Sequence, residues 1–134
     1  IRDRDVTGVQ TCALPISAAQ FNLGTALAQA GQLTESLAAF RTALAIKPDY
    51  AAARGNLARV LLITGDADGA LKEFREAVRA DASNPQNLLG LADALAQKGA
   101  FDQAVEALDR ALRLPMTEVL ANQVRAKRAQ YQRQ

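Results

Sequence analysis

The sequence contains no histidine, no tryptophan and a single cysteine, Cys12. Without histidine the usual general base and the commonest nitrogen ligand for a metal are missing. One cysteine offers neither an internal disulfide nor a thiolate cluster. Aromatic residues make up only 4% of the chain while apolar residues make up 49%, so alanine and leucine must carry the core. Such a core suits helices whose axes lie close together. Four prolines and eight glycines are too few for a loop-rich or disordered chain. No run approaches the ~18 consecutive apolar residues of a membrane span, so no membrane insertion is expected. A large excess of charge of one sign is missing as well. The net charge is +2, whereas a dedicated nucleic-acid binder shows a concentrated basic face, and no nucleic-acid partner is expected.

No catalytic set emerges from what remains. The serines are Ser17, Ser36 and Ser83, with no histidine to activate them. The glycines never cluster as in a phosphate-binding loop. Carboxylate pairs such as Asp66/Asp68 and Glu73/Glu76 fall at helix starts or on solvated faces, where capping and complementarity to the helix dipole account for them. The expectation is a chain that is not an enzyme, with no cofactor and no metal site.

Residues 1–16, IRDRDVTGVQTCALPI, differ in character from all that follows. They show no helical period. Val6–Ile16 resembles the conceptual translation of a sequencing adapter, with Ile1-Arg2-Asp3 matching the primer before it. The segment is therefore expected to be a non-native tail without a regular tertiary role, and Cys12 says nothing of redox compartment. The chain opens on Ile1 rather than Met, so the natural N-terminus is expected to lie upstream and the chain to be a fragment. The compartment stays open between cytoplasm and periplasm. The Ala/Arg/Leu usage hints at a bacterial source.

From Ser17 onward a period of 34 residues governs the chain. Gly31, Gly65 and Gly99 keep that spacing, as do Leu23/Leu57/Leu91, Leu27/Leu61/Leu95 and Ala43/Ala77/Ala111. Ser36, Ala70 and Ala104 form a column of small residues, and Phe40, Phe74 and Leu108 a bulky one. Each unit reads as two helices. The first helices span about 18–30, 51–64 and 85–98, and the second about 35–46, 69–80 and 103–114. Thr34, Asp49, Asp68, Asn84 and Asp102 are the expected N-caps. The three glycines should close the first helices in a left-handed conformation, and Pro48 and Pro115 should stop second helices. Gly24, Ser36, Ala43, Ala58, Ala70, Ala77, Ala92, Ala104 and Ala111 are expected at close helix contacts. Such pairs cannot bury their apolar faces alone and must stack.

The stretches FNLGTALAQAGQLTESLAAFRTALAIKP, GNLARVLLITGDADGALKEFREAVRAD and LGLADALAQKGAFDQAVEALDRALRLP resemble the tetratricopeptide repeat family. Departures are Gln20, Arg54 and Leu88 in place of an early aromatic, Leu27, Leu61 and Leu95 in place of a tyrosine, and Ala82 in place of a proline. The resemblance implies an all-α, right-handed α-solenoid of three helix-turn-helix repeats at about 17–50, 51–84 and 85–116, within a domain covering 17–134. A C-terminal capping helix would run from Thr117 to about Tyr131. Its Leu120, Val124 and Tyr131, with Ala121 and Lys127 beside them, form an apolar stripe backed by Asn122, Arg125, Gln130 and Gln132–Gln134. Residues 117–134 carry one acid, Glu118, against Arg125, Lys127, Arg128 and Arg133, which reads as a solvated cap face rather than a nucleic-acid or lipid patch.

In this family the first helices line a concave face that holds a partner segment. Carried over by helical spacing, the groove residues are Phe21, Thr25 and Gln29 in unit one, Arg59, Leu62 and Ile63 in unit two, and Leu89, Asp93 and Gln97 in unit three. The plainer alternative is that Leu62, Ile63 or Leu89 only touch neighbouring helices, and that Arg59 and Asp93 pair with each other. Family members that clamp a C-terminal carboxylate need converging cations and asparagines. The matching places here hold Phe21, Thr25, Leu89 and Asp93, and only Asn56 fits. The expected function is a monomeric protein–protein interaction module that binds a peptide or helix of a partner protein in its groove. The alternative is a non-catalytic, substrate-recruiting arm of a larger enzyme such as a repeat-bearing transferase.

Overall fold

The computed structural model describes residues 15–134, so the tail assignment for 1–14 lies outside the described residues. Among the described residues seven helices follow one another: α1 (Ile16–Gln29), α2 (Leu33–Ile46), α3 (Ala51–Ile63), α4 (Ala67–Ala80), α5 (Pro85–Gln97), α6 (Phe101–Leu112) and α7 (Glu118–Gln132). No strand occurs among the described residues. Helix α1 begins inside the segment set aside as a tail, with Pro15 at its N-cap position and Ile16 as its first residue. Successive helices pack on one another in chain order, giving an all-α helical repeat solenoid of three helix pairs and a seventh helix.

The 34-residue period is physical. Gly31, Gly65 and Gly99 take φ of 78°, 91° and 78°, which only glycine adopts without strain. Each closes a first helix in the same way. The residue after the glycine donates to a carbonyl five residues back, as Gln32 N–H to Leu27 O at 2.9 Å, Asp66 N–H to Leu61 O at 2.9 Å and Ala100 N–H to Leu95 O at 2.9 Å. That same residue is the N-cap of the next helix. Second helices therefore start two residues earlier than the side-chain caps suggest. Thr34, Asp68 and Asp102 are not caps but lie in the first turn, where Asp68 and Asp102 still complement the positive helix end. Asp66 does the capping in unit two, accepting from Gly69 N–H at 2.9 Å. Asp49 yields to Tyr50 as the residue preceding α3. Asn84 and Thr117 cap α5 and α7 as expected, accepting from Gln86 N–H at 3.0 Å and Leu120 N–H at 3.2 Å.

The small-residue columns are the contact points. Ser36, Ala43, Ala58, Ala70, Ala77, Ala92, Ala104 and Ala111 are all fully buried, and Gly24 is buried against Phe40, whose ring lies 2.8 Å from where a Cβ would stand. Ser36 Oγ, buried, donates to Gly24 O at 2.7 Å and ties α2 to α1. Phe40, Phe74 and Leu108 fill one continuous core with Leu57, Leu61, Leu88, Leu91, Leu95 and Val124.

Candidate functional site

Arg59, Leu62 and Ile63 come from the last two turns of α3, and Leu89, Asp93 and Gln97 from α5. The structure gathers these six. Arg59, Leu62, Ile63, Leu89 and Asp93 line a cleft of about 200 Å³ together with Gln86 and Gly90. Leu62, Ile63, Asp93 and Gln97 continue into a larger cleft of about 560 Å³. Ile63 is 70% exposed, the most open large apolar side chain in either cleft. Core packing gives no reason for an isoleucine there.

The unit-one residues are placed differently. The Phe21 ring is half-buried, 5.1 Å from the Tyr50 ring and 6.0 Å from that of Phe40. Thr25 Oγ1 donates to Phe21 O at 3.0 Å and accepts from Asn56 Nδ2 at 3.4 Å. Gln29 is exposed. None of the three lines either cleft.

The far wall of the larger cleft is α7. Lys127, Gln130, Tyr131 and Gln134 line it, with Phe101 from α6. Lys127, Gln130 and Tyr131 stand 34 residues after Asp93, Ala96 and Gln97, and all six line the same cleft. Helix α7 thus occupies the place of a fourth first helix. It also covers the array as expected of a cap, since Val124 is fully buried and Ala121 nearly so, against α6. The 34-residue spacing carried past residue 116 would have identified its groove residues. Its reading as a solvated cap leaves that second role unseen.

The electrostatics of the groove differ from the plainer alternative in which Arg59 and Asp93 pair with each other. Asp93 accepts from Lys127 Nζ at 2.6 and 2.7 Å and from Tyr131 Oη at 2.7 Å. Burial first, then the hydrogen bond to Asp93 and the charge of that carboxylate, push the Tyr131 hydroxyl well above the usual phenol range. Arg59 turns instead to the uncharged Asn56, with Nη2 donating to Oδ1 at 2.6 Å. The basic run of α7 is largely paired rather than simply solvated. Arg125 meets Glu118 at 3.2 Å, Lys127 meets Asp93, and Arg128 meets Asp109. Among the described residues no cluster of His, Cys, Asp and Glu has the makings of a metal site, and no helix is long and apolar enough to cross a membrane.

Comparison with known proteins bears on the family and the fold. A family model described as "Tetratricopeptide repeat" matches residues 21–85 and again 56–119. No curated protein matches the chain in sequence. Among solved structures, the Yersinia enterocolitica type III secretion translocator chaperone SycD is similar at TM-score 0.82 and 18% identity, over 86% of this chain and 82% of that one. SycD in complex with a peptide of the translocator YopD is similar at TM-score 0.76 and 17% identity, over 85% and 87%. The second TPR domain of human RPAP3, in complex with the HSP70 peptide SGPTIEEVD, is similar at TM-score 0.80 and 16% identity, over 87% and 95%.

Proposed function

The chain belongs to the tetratricopeptide repeat family, and from that premise we propose that it is a protein-binding module whose groove between α3, α5 and α7 holds a segment of a partner protein. The observation that carries this reading is the continuous groove through Leu89, Leu62 and Ile63 to Phe101 and Tyr131, with Ile63 open to solvent. An apolar side chain left exposed in a concave, amide-lined wall costs hydration that a partner's side chain would recover. The peptide complexes of SycD and RPAP3 are of the same fold and support the class of ligand, not its sequence. Leu62, Ile63 and Leu89 serve as anchors. Phe21 drops out of that role because its ring is engaged by Tyr50 and Phe40.

A groove of this length should hold one isolated peptide with Kd of ~1–100 μM, or about −8 to −5.5 kcal/mol. The test is selection of random dodecapeptides displayed on phage, followed by fluorescence titration of the selected peptides. Ile63→Asp changes a side chain that the core does not need, so the fold survives it. It should weaken binding at least ~10-fold, as it removes the open apolar anchor and sets a carboxylate one helical turn from Arg59, where it competes with the ligand for that cation. Selected peptides that bind the variant as well as the parent would place the binding surface elsewhere.

A further inference from the structure

Thr25, Arg59, Asp93 and Lys127 form one column of the repeat, each 34 residues from the next. It carries three charges, and two of them cancel. Asp93 is held by both Lys127 Nζ and Tyr131 Oη, while Arg59 finds only an amide oxygen and forms no ion pair with a carboxylate among the described residues. The α7 end of the groove is therefore electrically closed. Its remaining polar side chains are the amides of Gln97, Gln130 and Gln134, set among Leu62, Ile63, Ala96 and Phe101. Among the described residues the α3 end carries one positive charge without an ion pair, beside Leu62, Leu89 and the Asp93 already held by Lys127.

We propose that the groove selects an extended segment of a partner protein with a single carboxylate side chain at Arg59 and uncharged aliphatic residues running toward α7. This rests on the groove being the binding site. A ligand carboxylate at Arg59 gains a charge-assisted hydrogen bond in a fork geometry. Further along, neither sign is welcome. A cation meets Lys127 with Asp93 already taken. A second acid faces Asp93, and the nearby cation is already bound. Either would be desolvated without a partner. Aliphatic side chains fit Leu62, Ile63 and Phe101, and glutamine amides can donate to and accept from an extended main chain. Charge complementarity thus points to one acid and an aliphatic run, and away from a ligand held by several carboxylates at once.

The experiment compares the dodecapeptides selected on phage by the parent chain and by Arg59→Glu. Arg59 is exposed, so its reversal leaves the fold intact, as circular dichroism would show. The parent should select sequences sharing one Asp or Glu next to a Leu/Ile/Val run without Lys or Arg. Arg59→Glu should select Lys or Arg at the acid's position and keep the aliphatic run. Each peptide should bind the opposite protein about 10-fold more weakly, the loss of one rim charge pair plus a repulsion. Sequences with several acids, or a selection unchanged by Arg59→Glu, would overturn the charge assignment. If that selection is still lost in Ile63→Asp, the groove survives and only the ligand chemistry falls. If the parent selects nothing, groove and ligand fall together.

Discussion

At the scale of single residues, volume is traded across the repeat junctions. In the junction between units two and three, the fully buried Phe74 faces Gly90, where a Cβ would overlap the ring. One period later the same two places hold Leu108 and Val124, both fully buried. A smaller side chain on the second helix accompanies a larger one on the next first helix. Interiors packed at crystal density favour such an exchange. Gly90→Val should therefore cost ~1–3 kcal/mol by overpacking, and Phe74→Leu about as much through the lost contacts and residual cavity. The double variant copies the later junction. Its cost should fall short of the sum of the two by about 0.5–3 kcal/mol. Urea denaturation of the three variants and the parent gives these values, and strictly additive costs would show that the two sites do not share a volume. The alanine columns predict the same sensitivity without compensation. Ala77 is fully buried, and Ala77→Leu should lower stability by ~1–3 kcal/mol.

At the scale of elements, α7 is both cover and wall, and its docking has a pH signature. Tyr131 is held in its protonated form by burial and by Asp93, and the same carboxylate also takes the Lys127 ammonium. A phenol raised in the folded state contributes stability that is whole below its ordinary value, about 10, and that fades as pH climbs past it. Hydrogen exchange of the α7 amides should therefore show α7 loosening above about pH 10, and Tyr131→Phe should lessen that dependence while weakening docking at neutral pH. An α7 equally loose in parent and variant at high pH would deny the hydroxyl this role. Helix ends show why legibility in the sequence was uneven. The first-helix ends could be read from Gly31, Gly65 and Gly99 because the left-handed backbone has one cheap solution. The second-helix starts could not, since the glycine turn itself supplies the N-cap residue, and Gln32 and Ala100 have no side-chain signature as caps. Six of the nine candidate groove residues lie together because helical spacing fixes a face. Phe21, Thr25 and Gln29 line neither cleft, and no spacing rule reveals that Tyr50 claims the Phe21 ring or that Asn56 stands between Thr25 and Arg59.

At the scale of the whole molecule, stability must be uneven along the array. Helices touch mainly their neighbours in sequence, so each unit is stabilised by its own pair and by adjoining junctions. The two ends differ. Leu57 and Leu91 are 4% and 7% exposed, whereas Leu23, in the same column, is 48% exposed. Leu57 lines a cleft with Leu44 of the preceding α2, and Leu91 lines one with Arg75 of α4. Helix α1 buries only Ser17 and Gly24 and carries no charged residue, while α5 buries seven residues. The opposite end is closed by α7, whose outward Asn122 and Arg125 are exposed and polar. Apolar burial is the main favourable term at ~25 cal/mol per Å², so opening α1 gives up far less than opening α5. Native-state hydrogen exchange should reveal a gradient. Amides of α4 and α5 should exchange only through global unfolding, and those of α1 through a local opening of lower free energy, nearly independent of denaturant. Leu23→Glu, which changes a half-exposed side chain, should leave α4 and α5 protection unchanged within ~0.5 kcal/mol. If α1 amides instead match the global value, the chain unfolds as one block and the nearest-neighbour account of its stability is wrong.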